Sequence, residues 1–135
     1  MKGVFSYMAA AAAVLMLSAC QKTKVDQDFL NDNKLRLVEN GRTIHSYNPL
    51  TWQVAYSEDK MEFRVFNDTM SDYYVLTCQE LPTFVGQEIK ASLKWSGATI
   101  SSRNNITFRV EKTDPRGRIW LWSKKSKIAV SVMAL

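Results

Sequence analysis

The sequence predicts an all-β fold: a single antiparallel β-sandwich or small barrel of about eight strands. Three observations predict it. Apolar and polar residues alternate with a period of two in run after run from residue 34 to the C-terminus, as half-buried strands require. The runs are separated by short turn signals. No stretch beyond the first nineteen residues shows a convincing helical apolar period. Strand spacing of this kind does not choose between sandwich and barrel.

Taken in order, "KLRLVENGRTIHSY" (34–47) is a hairpin, because Asn40-Gly41 can adopt the positive φ angles of a type I′ turn. Asn48-Pro49 then breaks the ladder. In the next run Trp52, Val54 and Tyr56 alternate with Gln53, Ala55 and Ser57. A turn at 57–60 leads into "MEFRVF", with Met61, Phe63 and Val65 on one face, and "DYYVLTCQE" follows. After a loop containing Pro82 and Gly86, "EIKASLKWS" places Ile89, Ala91, Leu93 and Trp95 inward and Lys90, Ser92 and Lys94 outward. "NITFRVEKT" (105–113) sets Ile106, Phe108 and Val110 against Thr107, Arg109 and Glu111. Asp114-Pro115-Arg116-Gly117 suits a type I turn, and "RIWLWS" and "KIAVSVMAL" complete the series.

The N-terminus reads differently. A single cation, Lys2, precedes an apolar run from Met8 to Leu17. That run is about half the ~20 residues of a spanning helix, so it fits a secretory leader better than a membrane span. Leu17-Ser18-Ala19-Cys20 resembles the lipobox of bacterial lipoproteins. The resemblance implies cleavage before Cys20, a diacylglyceryl group on its thiol and a seat in the bacterial cell envelope. The implied anchor is in the outer membrane of a Gram-negative cell, with the periplasm-facing side favoured over the surface because residues 21–24 lack an acidic cluster. The organisation is then a signal peptide (1–19), a lipidated cysteine with a polar tether (20–33), and an all-β domain (34–135). Phe29 and Leu30 are the tether residues able to pack on the domain. Lipidation of Cys20 leaves Cys78 without an intramolecular partner, as a small buried hydrophobe on a strand.

Charge is unevenly spread. The chain has 18 Lys and Arg against 13 Asp and Glu, a formal +5. From Cys20 to Glu88 seven cations face eleven acids, whereas from Ile89 to Leu135 ten cations face only Glu111 and Asp114. The C-terminal half can therefore attract an anionic partner. An export signal excludes nucleic acid and leaves an anionic glycan, lipid headgroups or an envelope protein.

Few residues could support catalysis. There is one histidine, His45, and one cysteine beyond the lipobox, with no clustered metal-ligand spacing and no Gly-rich phosphate loop. His45 and Ser46 are strand neighbours whose side chains point to opposite faces. The expectation is a protein that is not an enzyme and has no metal or cofactor.

A binding face is better supported. In "RGRIWLWSKKSK", Arg118, Trp120, Trp122 and Lys124 share one face and Ile119 and Leu121 the other. If Ile119 and Leu121 point inward, the two tryptophans stand among cations, joined by Lys90, Lys94 and Arg109 from the runs expected to neighbour this one. Indole faces can stack on sugars while Lys and Arg hold carboxylates or phosphates. In the other arrangement the tryptophans belong to the core, or both faces are covered. Trp52 and Trp95 read as core.

Two local resemblances complete the reading. Ser96-Gly97 resembles the Ser-Gly signature of membrane-bound lysozyme inhibitors, without the following aromatic residue or the cysteine pair of that family. It implies an inhibitor or immunity protein that binds a protein partner through a loop, either 80–87 or 96–105. Asp68-Thr69-Met70 resembles the acceptor of general O-glycosylation in some Gram-negative anaerobes, and ordinary turn chemistry explains Thr69 equally.

Overall fold

A computed structural model describes residues 24–48 and 53–134. The leader, Cys20 and Trp52 lie outside the described residues. After a short helix α1 (Gln27–Asn31) come nine strands: β1 (Leu35–Glu39), β2 (Arg42–Tyr47), β3 (Val54–Ser57), β4 (Glu62–Phe66), β5 (Tyr73–Cys78), β6 (Glu88–Trp95), β7 (Ser101–Thr113), β8 (Arg118–Ser123) and β9 (Ile128–Met133). They form one antiparallel sheet in the order β2-β1-β9-β8-β7-β6-β5-β4-β3. Strands β3 to β9 are a meander. The N-terminal hairpin joins its far side through β1, which pairs with β9. The sheet curls into a half-barrel, bringing β3 and β4 against β9.

Alternation decides which residues line the concave face. Leu35, Leu37, Phe63, Val65, Tyr74, Leu76, Ile89, Leu93, Phe108, Val110, Leu121, Ile128 and Val130 are all essentially fully buried there. These side chains fill the space a barrel carrier would give to its cargo. Tyr74 crosses the interior, its hydroxyl donating to the Ser131 carbonyl at 2.6 Å. Burial in this apolar setting, with Tyr47 beside it, pushes the Tyr74 hydroxyl well above the usual phenol range. The outer strand β2 adds a second link. His45 and Tyr47 stack with Tyr74 at ring-centroid separations of 6.2 Å each. No ladder joins β2 to β3 among the described residues, so side chains close the curl.

The turns follow from their residues. Asn40 and Gly41 have φ of 52° and 78°, matching the type I′ hairpin. Gly117 has φ 89° and donates its N–H to the Asp114 carbonyl at 3.1 Å; a Cβ there would sit 2.3 Å from the Ala134 carbonyl oxygen. The seventh strand begins at Ser101 rather than 105. Its register with β6 shifts between Ala91 and Leu93, next to Asn105 at φ 56°, and irregular pairing of this kind interrupts the alternation that sequence reading follows.

Residues 24–33 carry the Phe29 and Leu30 packing that the tether was expected to allow. They form part of the folded unit. Val25, just ahead of the helix, and Phe29 within it are buried against Val38, Trp120 and Ala129 on the convex face, with Leu30 and Trp122 at the margin. A five-residue helix has no stability of its own, so this packing holds it. Burying Phe29 contributes about 1.5–3 kcal/mol. Two cations fix the C-terminal end: Lys112 Nζ donates to the Leu30 carbonyl at 2.7 Å, and Arg118 to the Asn33 carbonyl at 2.9 Å. All six residues of β9 are consequently buried, because α1 covers one side of the strand and the concave core the other.

Candidate functional site: a basic groove beside Trp122

The seven residues that sequence reading grouped into one binding face separate into four settings. Trp120 is only 1% exposed beneath α1. The Lys112 ammonium lies 4.7 Å and the Arg118 guanidinium 5.3 Å from its ring centroid. Arg118 is occupied further by an ion pair with Asp114 at 2.7 Å. Trp120 and Arg118 therefore cannot serve as a contact surface; both faces of β8 are covered where they stand. Lys94 lies elsewhere, in an apolar depression of about 730 Å³ with Phe66, Met70, Tyr73 and Val75 on the outside of β4 to β6. Lys90 is exposed on β6 opposite Thr107.

Arg109 and Trp122 do come together. They pair directly across β7 and β8 and line a groove of about 870 Å³ between the N-terminal segment and the convex face of the sheet. Its walls come from three places. Lys24, Val25, Gln27 and Leu30 form one side; Glu88, Thr107, Arg109 and Glu111 form the other; the β8–β9 turn supplies Lys124, Lys125 and Lys127. Five cations thus face two carboxylates, one of which, Glu111, pairs with Arg109 at 3.0 Å. The volume lies within the range of small-ligand sites.

The β8–β9 turn holds its lysines in a defined conformation. Ser126 donates its backbone N–H to Ser123 Oγ at 3.2 Å, and Lys127 adopts φ 58°, with its carbonyl accepting from Asn40 N–H at 2.8 Å. Three lysines on one tight turn repel one another, and a left-handed lysine adds backbone strain. The indole of Trp122 is half-buried, and its N–H has no hydrogen-bond partner. An apolar ring beside a cationic rim can stack on a sugar or cover an acyl-glycerol edge while the ammonium groups hold phosphate or carboxylate. Lys24, Lys125 and Lys127 were missed in the sequence reading. Lys125 was legible in the run "WSKKSK", whereas Lys24 joins the groove only because α1 docks.

One serine-histidine pair resembles a catalytic arrangement and is not one. Ser96 Oγ lies 3.5 Å from His45 Nε2. That nitrogen also lies 2.8 Å from the Ser96 carbonyl, which can only accept, so Nε2 carries the proton. Nδ1 then accepts from the Tyr47 hydroxyl at 2.7 Å. His45 has no lone pair aimed at Ser96. The serine hydroxyl is itself engaged, accepting from Tyr73 N–H at 2.8 Å and reaching the Tyr73 carbonyl at 3.3 Å. Burial, then the Asp72 carboxylate, pushes the Tyr47 hydroxyl up to about 12. Cys78 faces the concave core, and burial pushes its thiol up to about 12, leaving almost no thiolate at neutral pH. Among the described residues no three His, Cys, Asp or Glu side chains gather to hold a metal, and no helix is long and apolar enough to cross a membrane.

The two loops of the inhibitor reading also differ. Residues 101–105 belong to β7 and Ser96 is buried, so the second loop shrinks to 97–100, with Ile100 exposed. Loop 80–87 is braced from within. Gln87 Oε1 accepts from the backbone N–H groups of Thr83 at 2.7 Å and Phe84 at 3.3 Å, and Nε2 donates to the Leu81 carbonyl at 3.0 Å. The braced loop presents Phe84 and Val85, 59% and 56% exposed.

Comparison with protein-family models, curated proteins and solved structures finds no match to this chain.

Proposed function

We propose that this chain is a lipid-anchored envelope protein that acts as a non-enzymatic binding module, and that the groove beside Trp122 receives an anionic envelope component, with an acidic glycan as the first ligand to test. The observation that carries the reading is the convergence of Lys24, Arg109, Lys124 and Lys125 from three separate parts of the chain around one indole. Cations gathered in a concave site strengthen the local field and select for negative charge. Lys90, one strand away, extends the positive surface. The lipobox resemblance of Leu17-Ser18-Ala19-Cys20 supports the anchor.

The test is retention on alginate, a polymer of uronic acids, at low and high salt. Lys124→Glu/Lys125→Glu and Trp122→Ala should each weaken retention, the charge reversal more strongly, and both effects should shrink as salt rises. Equal retention of all three proteins at low salt would refute the reading.

The braced loop favours a second reading. A rigid loop that presents Phe84 and Val85 loses little entropy on docking, as an inhibitor or immunity protein requires. Capture of one stoichiometric partner, lost in Phe84→Asp and retained in Lys124→Glu/Lys125→Glu, would select it.

A further inference from the structure

We infer that the groove's anionic partner is the membrane itself: the outward face of β7, β8 and the β8–β9 turn lies on the phosphate headgroups of the bilayer that holds the lipid anchor. The inference rests on the proposed lipidation of Cys20 and commits the basic groove to one occupant.

A tether reaching residue 33 would leave the domain more than ~40 Å of slack and no fixed orientation. Docking of α1 removes most of it. Val25 and Phe29 are buried on the sheet, and Lys112 and Arg118 hold the carbonyls of Leu30 and Asn33, so the chain is fixed to the domain from Val25 onward. Lys24 lines the groove and is only four residues from Cys20. Whatever path those residues follow, they extend no more than ~14 Å. The headgroup region is itself roughly 5–8 Å deep on each side of a bilayer. The groove's Lys24 end therefore stays within about two to three headgroup depths of Cys20.

Charge supplies the second part. Within about 10 Å of an anionic surface, at physiological salt, counterion screening is incomplete. Each Lys or Arg placed there raises partition about five-fold. Lys24 qualifies by its place in the chain, and Lys124 and Lys125 line the same groove. The carboxylate-rich half of the molecule contributes one carboxylate, Glu88, to the groove itself, while Asp26 and Asp28 border Trp122 on its other side. A lipid chain combined with a basic patch is the two-signal arrangement that holds proteins flat on membranes.

The experiment uses the mature lipidated chain reconstituted into two kinds of vesicle carrying dansyl-labelled headgroups, phosphatidylcholine alone or with phosphatidylglycerol. Energy transfer from tryptophan to dansyl reports how closely the domain lies on the surface. Transfer should be greater on the phosphatidylglycerol vesicles and should fall to the phosphatidylcholine level at 0.5 M salt. Lys124→Glu/Lys125→Glu should weaken the anionic-surface preference by about 25-fold or more, the product of two lysines, while still floating with both vesicles. Equal transfer on both compositions, or a preference the charge reversal leaves intact, overturns the inference. Failure of the wild-type chain to float with either vesicle overturns the anchor, and the inference with it. Retention on alginate without a phosphatidylglycerol preference assigns the groove to glycans and refutes the membrane assignment; the opposite pattern upholds the membrane and removes the glycan.

Discussion

The two faces of the curled sheet are built on different principles. The concave face draws buried residues from every strand except β2, spread through the chain and tied together by alternation. The convex face is open to solvent except over β1, β8 and β9, where a small cluster forms around Trp120. The first core accounts for the fold. The second attaches a segment that brings Lys24 to the groove. A local apolar patch of a few side chains is enough to hold residues 24–33 against the sheet and so to place Lys24 at the groove.

The predictions separate the two. The largest effect belongs to the concave face: Phe108→Ala should cost about 3–5 kcal/mol, read as a lower urea midpoint with loss of the whole sheet in one transition. Phe29→Ala should cost less, about 2–3 kcal/mol, because α1 lies at the surface and can shift to fill the space. Its signature is a red shift of tryptophan emission as Trp120 becomes wet, with the far-ultraviolet β signal unchanged; a global loss of strand signal would show the two faces to be one cooperative unit.

Asp114→Ala should cost about 1–2 kcal/mol, since the carboxylate accepts from the N–H groups of Arg116 and Arg118 and from Arg118 Nε. Partial burial would raise this carboxyl, but those hydrogen bonds and the Arg118 charge outweigh it and hold it below the ordinary carboxylate range. With the folded value depressed, its contribution is present above the unfolded pKa and lost as pH falls through the folded one. Wild type should therefore show an acid slope in stability that the alanine variant lacks. Lys124→Glu/Lys125→Glu should change stability by less than about 0.5 kcal/mol, both side chains being exposed. The smallest effect expected is at Cys78: a thiol reagent at pH 8 should leave the native protein unmodified and react promptly once urea unfolds it.

The concave face was legible in the sequence; the convex cluster was legible only in parts, as tryptophans that could be covered and as Phe29 and Leu30 able to pack on the domain. Ile89, Ala91, Leu93 and Trp95 show their burial by spacing alone, as do Ile106, Phe108 and Val110. Trp120 does not, because period-two alternation says which side a residue takes but not what lies over it. The covering element, "KVDQDFLN", is mostly polar, too short for a helical period to emerge, and far from β8 in sequence. The same blindness affected the site. Arg109 and Trp122 were placed on one surface correctly, whereas Arg118 was diverted to an internal ion pair and Lys94 to the other end of the sheet. His45, which strand geometry turns away from Ser46, has both ring nitrogens occupied by partners the sequence did not indicate, the Ser96 carbonyl and the Tyr47 hydroxyl.

The way the curl is closed has a consequence for motion. Where β2 and β3 end the sheet, no backbone ladder crosses between them among the described residues; β2 is tied across by the His45 and Tyr47 rings on Tyr74 of β5 and by His45 Nε2 donating to the Ser96 carbonyl, and Tyr74 in turn donates to the Ser131 carbonyl of β9. Such a seam can part without breaking a single interior strand pair. Amide exchange should accordingly be quickest along β2 and β3 and slowest in β7 to β9, with opening that spreads inward from the seam and leaves the strands bordering the groove until last.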